Sequence, residues 1–163
     1  TIDYNKNLIT TAKAIRLLQR SGYDVSYTAV GRIINQNLIP KISKLIDFKH
    51  IDQIPKDKLL EIYRDHDILV VPSIRESFGL VYPEAMSQGL PVIYSKGQGF
   101  DGMFADGVVG YAVQSLDFKE IAKRIIDISN NYNEISRNCI TNTKIYDWKR
   151  IGEEYYSLYN SLI

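Results

Sequence analysis

The sequence predicts an α/β domain built on a parallel sheet with helices on both of its faces. Three observations predict it. Short apolar runs such as Asp67 to Val71 and Pro91-Val-Ile-Tyr alternate with longer segments whose apolar residues recur at helical spacing. These short runs are apolar on both faces, as strands covered on both sides are. Strands and helices also follow one another singly, which is how a parallel sheet is connected.

From Asn5 to Arg20, Leu8, Ala12, Ile15 and Leu18 fall on one helical face, and Ser21-Gly22 stops the helix. Asp24 to Ile34 is β-rich and reads as a strand leading into Gly31. A second helix is expected over Gln36 to Ile46, bent or delayed by Pro40. Phe48 to Ile51 is a short strand, and Pro55 to Arg64 a helix with Leu59, Leu60 and Tyr63 inward. Pro72 stops the strand that begins at Asp67. Pro83 then opens a helical turn at Glu84-Ala-Met, which Gly89 ends before the strand at Pro91. Val109 to Val113 is a brief strand between turns. Asp117-Phe-Lys-Glu120 has the form of a capping box for a helix that buries Ile121, Ile125 and Ile128. Helices from about Tyr132 to Thr143 and from Asp147 follow, the last with Ile151, Tyr155, Leu158 and Leu162 in phase. A doubly wound domain should begin with a strand, and none precedes the first helix, so the first strand is expected to lie upstream of Thr1 or to be altered, together with any arginine at its end.

A chain of 163 residues with 45% hydrophobic side chains has the size and apolar content of one domain, here residues 1–163. Its 20 basic and 19 acidic residues leave a net charge of +1, which excludes the broad phosphate affinity of a nucleic-acid binder. Any phosphate site must therefore be local. The single cysteine, Cys139, excludes an internal disulfide or a cysteine metal cluster and fits a reducing compartment. No apolar run approaches the roughly 18 residues of a membrane span, and the start at Thr1 suggests an excised domain.

The candidate active edge lies between Pro72 and Pro83, a charged, Gly-containing loop joining a buried strand to a helix start. Open α/β sheets bind ligands at such places. Glu76 can accept hydrogen bonds from sugar hydroxyls and bring negative charge near an oxocarbenium-like centre; a solvated loop glutamate is the plainer reading. Glu84, in the first helical turn, suits a ribose diol as a bidentate acceptor, although the helix dipole alone favours a carboxylate there. Gly79 permits close backbone approach, and the free N–H groups of Leu80 and Val81 can take a phosphate. Seven of the ten glycines fall between Gly79 and Gly110, so this edge needs unusual backbone angles. His50 and His66 lack metal-ligand spacing, and no Asp-x-Asp element is present.

Glu76-Ser77-Phe78-Gly79-Leu80-Val81-Tyr82-Pro83-Glu84 places two glutamates eight positions apart, preceded by Val71-Pro-Ser and followed by Gly89-Leu-Pro-Val. This pattern resembles the retaining glycosyltransferases of family 4, whose GT-B fold consists of two Rossmann-like domains. The resemblance covers the second, nucleotide-sugar-binding domain. It implies that Glu76 contacts the donor sugar, that Glu84 binds the ribose, and that Lys6 is the counter-charge to a diphosphate. Ser77 and Phe78 fall within the donor-binding motif, with Phe78 read mainly as a packing residue. Ile54 and Gln53 correspond to the loop that holds the nucleotide base.

In that family the first strand ends in Gly-Arg, and Lys-Gly or Lys-Asn follows. Lys6-Asn7 fits the second pair, while Thr1 stands near the place of the arginine. Val30-Gly31-Arg32 has the letters of the first pair in the wrong setting. Arg75 is a second candidate cation, or pairs with Glu76 or Asp101. After the strand at Val92 the family commonly has Gly-Gly and then Glu, whereas this chain has Gly97-Gln-Gly99 and Asp101.

The resemblance implies no cofactor and no metal, a nucleoside diphosphate sugar as substrate, and an acceptor-binding N-terminal domain as partner. It implies a cytoplasmic enzyme, with any peripheral membrane contact made through that other domain. A non-catalytic nucleotide-binding module and a GT-B nucleotide-sugar epimerase remain open beside the transferase. So do the base, the sugar and the acceptor.

Overall fold

The computed structural model describes residues 1–162. In chain order it runs α1 (Leu8–Arg20), β1 (Thr28–Val30), α2 (Leu38–Ser43), β2 (Lys49–Ile51), α3 (Lys56–Arg64), β3 (Leu69–Val71), α4 (Val81–Met86), β4 (Val92–Ser95) and β5 (Gly110–Val113). Then come α5 (Phe118–Asn130), α6 (Tyr132–Asn142), a 3-10 turn (Thr143–Tyr146) and α7 (Trp148–Asn160). The expected alternation and order are present.

All strand pairs are parallel. β4 lies between β3 and β5, with Ile93 opposite Val70 and Tyr111, and is buried along its whole length. Both α4 and α5 pack on it, so the strand is apolar on both faces for the reason anticipated. α1 and α5 pack together through buried Ala12, Ile15 and Leu18 on one and Ile121, Ile125 and Ile128 on the other. Among the described residues no helix is long and apolar enough to cross a membrane.

The sheet is divided. Among the described residues β1 pairs only with β2, and β3 only with β4, so each keeps a free edge. Leu69, Val70 and Val71 of β3 are accordingly only half-buried although all three are aliphatic. A cavity of about 360 Å³ lies between Asp24–Val25, which lead to β1, and Asp67–Ile68, which lead to β3, with Leu18 and Ile125 also on its wall. The two sheets are joined at the other end by the start of the chain. Ile2 makes a parallel bridge to Ile33 beyond β1, and the Asn5 carbonyl accepts from the Ile74 N–H beyond β3 at 2.8 Å.

Several expected elements are shorter. The strand expected over Asp24 to Ile34 is reduced to three residues, because its partner β2 is itself three residues long and Gly31 turns the chain at φ 139°. The two helices that carry a proline near their start are displaced in opposite senses, α2 beginning later than Gln36 and α4 earlier than Pro83. α2 starts at Leu38 and α4 at Val81, with Pro40 and Pro83 each third in the first turn, where no intrahelical N–H bond is lost. The capping box at Asp117 is half formed. Asp117 accepts from Lys119 and Glu120 N–H, but Glu120 accepts from the Gln114 N–H rather than returning to Asp117.

The last helix, α7, stands apart. Tyr155, Leu158 and Leu162, whose phase suits either a core face or a contact with a partner domain, are 58%, 54% and 76% exposed. The helix projects from the domain and packs mainly on the 3-10 turn before it. Its periodicity is real, and its apolar face has no partner among the described residues.

Truncation separates the two kinds of helix. Ile121→Ala is expected to cost about 2–5 kcal/mol and Leu158→Ala under about 0.5 kcal/mol in urea unfolding. Burial also pushes the Cys139 thiol up from 9.0 to about 12. The folded state then binds this proton more tightly than the unfolded chain, so stability is complete below pH 9 and falls as pH rises toward 12. Urea titrations across that window should show this loss, about 1.4 kcal/mol per pH unit from this group, diminished in Cys139→Ala.

Candidate functional site

The site is assembled at the C-terminal ends of the strands. Three segments meet there: Thr1 to Asn7 before α1, Pro72 to Leu80 between β3 and α4, and Lys96 to Gly102 after β4. Asn5 holds the first two in register. Its side-chain amide donates to the Arg75 carbonyl and its amide oxygen accepts from the Arg75 N–H, both at 2.9 Å. Asn7 adopts φ 55°, and its buried side chain donates to the carbonyls of Pro72 and Ser115. The left-handed backbone explains why asparagine or glycine suits the position after the lysine.

Lys6, held between these anchors, meets Glu76. Its Nζ lies 2.6 Å from Glu76 Oε2, with side chains 26% and 12% exposed. The buried Ser73 hydroxyl donates to the same oxygen at 3.2 Å, and Ser73's carbonyl accepts from the buried Ser95 hydroxyl at the end of β4. Two sequence-predicted residues 70 positions apart are thus in direct contact.

Glu84 points to the other side of the edge. Its Oε1 lies 3.1 Å from the Nζ of Lys56, the first residue of α3, which follows Ile54 and Pro55 in the chain. Ile54 is half-buried, and Gln53 is exposed with its N–H on its neighbour Asp52. The charge of Glu84 adds to burial in pushing the Tyr63 phenol up to about 12. Likewise burial first, and then Glu76, raises Tyr82, whose hydroxyl donates to the Val71 carbonyl.

Between the carboxylates, Gly79 sits at φ 84°, where an added Cβ would overlap the Tyr82 ring. The N–H groups of Leu80 and Val81 have no backbone acceptor among the described residues, while those of Tyr82 and Glu84 are satisfied by Gly79 and Leu80. Ser77 is exposed. Phe78 turns inward, its ring centroid 5.8 Å from Phe100 and 5.6 Å from Tyr146, so its side chain packs and only its backbone faces the edge. Arg75 is exposed and, among the described residues, pairs with neither Glu76 nor Asp101; Asp101 instead accepts from the Gly97 N–H. His50 and His66 tie backbone and side-chain groups together, at the Gly31 carbonyl and at Ile62 and Thr28.

Sequence reasoning missed Ser73, Gln98 and Lys56. Ser73 and Ser95 are polar residues at strand ends, a weak signal alone. Gln98, between two glycines, accepts from the Glu76 N–H at 2.8 Å. Lys56 follows the Pro55 turn and was visible only as a solvated first-turn lysine.

The family model described as Glycosyl transferases group 1 matches residues 1–146. A D-inositol 3-phosphate glycosyltransferase of Corynebacterium glutamicum is 30% identical over 125 residues, 75% of this chain and 29% of its own length. The capsular polysaccharide biosynthesis glycosyltransferase CapM of Staphylococcus aureus is 26% identical over 98% of this chain and 44% of its own. Among solved structures, Anabaena HepE in complex with UDP-glucose superposes with a TM-score of 0.83 at 20% identity, over 98% of this chain and 46% of that one. The chain therefore spans less than half the length of each of these proteins.

A partly buried pair that loses one partner leaves the other charge uncompensated. Lys6→Met is expected to cost about 1–3 kcal/mol at pH 7 by urea unfolding, and Lys6→Met with Glu76→Gln to cost less than that single change.

Proposed function

The chain belongs to the glycosyl transferases group 1 family, and we propose that it is the donor-binding domain of a retaining enzyme that transfers a hexosyl group from a nucleoside diphosphate sugar. The observation that carries this reading is the Lys6–Glu76 contact beside the unpaired Leu80 and Val81 N–H groups. It gathers a cation, a carboxylate and two free donors at one sheet edge.

In this reading the base lies near Gln53 and Ile54, the ribose diol on Glu84, and the diphosphate on Lys6 and the Leu80–Val81 amides. Gly79, Ser77 and the Phe78 backbone shape the loop around the sugar held by Glu76. The bond between the sugar's anomeric carbon and the phosphate oxygen breaks, and its electron pair stays on the departing diphosphate. Lys6 and the loop amides stabilise that developing charge. The acceptor hydroxyl forms the new bond on the face the diphosphate leaves, and its proton passes to the departing phosphate oxygen. Glu76 is drawn onto Lys6 before donor arrives, so the diphosphate competes with the carboxylate for the ammonium. No metal or cofactor is required by this scheme.

The acceptor-binding half is proposed to be an N-terminal domain of the same protein. Support comes from the coverage of the relatives and from the unpartnered apolar face of α7. A glycan or lipid-linked acceptor, a cytoplasmic setting and peripheral membrane contact through that domain belong to the same proposal.

The 163-residue chain alone is expected to bind nucleoside diphosphates weakly by titration calorimetry and to transfer no sugar from a radiolabelled donor. Turnover by the isolated chain would overturn the division of labour. In the whole enzyme, Glu76→Ala should lower kcat by about 100-fold or more, and Glu84→Ala should mainly raise the donor KM.

A further inference from the structure

We propose that Gln98 is a positioning residue for the reaction, placing the Glu76 carboxylate by gripping its main chain. The proposal rests on the reading that Glu76 contacts the donor sugar. Glu76 has three polar groups to place. Its carboxylate meets Lys6 and Ser73. Its N–H donates to Gln98 Oε1 at 2.8 Å, and its carbonyl accepts from the Gly99 N–H at 3.2 Å. Consecutive residues of one loop therefore satisfy both main-chain groups of Glu76. An N–H can only donate, so the Gln98 amide must present its oxygen there.

The loop that grips is itself anchored to the sheet and the core. The Lys96 N–H donates to the Val113 carbonyl at 2.8 Å, carrying the β4–β5 ladder up to Gly97. The turn is closed by Asp101, whose carboxylate accepts from Gly97 and whose N–H donates to the Gln98 carbonyl. Phe100 is 1% exposed at the centre of the Phe78, Tyr82, Tyr94 and Tyr146 rings. Gly99 leaves no room for a side chain, since a Cβ would overlap the Ser77 carbonyl. By contrast Ile74, Arg75 and Ser77, which flank Glu76, are exposed and belong to no strand or helix. The position of Glu76 is thus set by contacts across the edge rather than by its own segment. A misplacement of about 1 Å in a reacting group can cost about 100-fold in rate.

Gln98→Met keeps the length of the side chain and removes the acceptor. In the chain, it should speed hydrogen exchange of the Glu76 amide by about tenfold or more, while Gln98→Glu, which retains an acceptor oxygen, should keep that amide protected. In the whole enzyme, Gln98→Met should lower kcat about tenfold with the donor KM within about twofold, and cause no further loss in a Glu76→Ala background. Unchanged exchange in Gln98→Met, lost protection in Gln98→Glu, an unchanged kcat, or an equal rate loss in both backgrounds would each overturn the proposal. If the native enzyme transfers sugar from no nucleoside diphosphate donor, the transferase reading falls, and the exchange measurement still decides whether Gln98 holds Glu76.

Discussion

Lys6 and Glu76 stand 70 residues apart in the chain, and their 2.6 Å contact requires three separate segments to arrive at one sheet edge. Asn5 clasps Arg75, and Asn7 bends through a left-handed conformation onto Pro72 and Ser115, on either side of the lysine that makes the contact. The same short stretch bridges the divided sheet through Ile2 and Ile33. The start of the chain therefore serves two ends at once: it ties the strands together and delivers the cation.

A second layer stiffens the edge from behind. Phe78, Tyr82, Tyr94, Phe100 and Tyr146 pack edge to face or tilted beneath the loops, with Phe100 touching the other four rings. Aromatic pairs at such geometry add attraction beyond the area they bury. Because Phe78 and Phe100 lie in the two loops that meet at Glu76, the core sets how those loops approach. The family match reaches Tyr146, the last ring of this cluster, and leaves α7 outside it.

Much of the fold was legible because burial leaves a periodic trace. The helices around Ile15 and Ile125 and the strands at Val70 and Ile93 announce themselves by spacing alone. Element ends were less legible: Pro40 looks like an interruption and Pro83 like the first helical residue, until both are seen third in the first turn, where proline is harmless. The in-phase face of α7 left two covers open for a related reason. Periodicity reports that a face is meant to be covered, and says nothing of whether the cover comes from the same domain.

The sequence by itself determined the class of fold, the order of its elements, and the two carboxylates, the glycine and the lysine of the candidate site. The fold follows from local spacing, the carboxylates and the glycine from residue types that only certain backbones or charges can satisfy, and the lysine from the family resemblance of Lys6-Asn7. Tertiary structure alone decided that Lys6 touches Glu76, that Lys56 attends Glu84, and that Gln98 holds the loop. Each of these is a contact between segments distant in the chain, where polar groups are free to choose among several partners and only the packing of the sheet selects one.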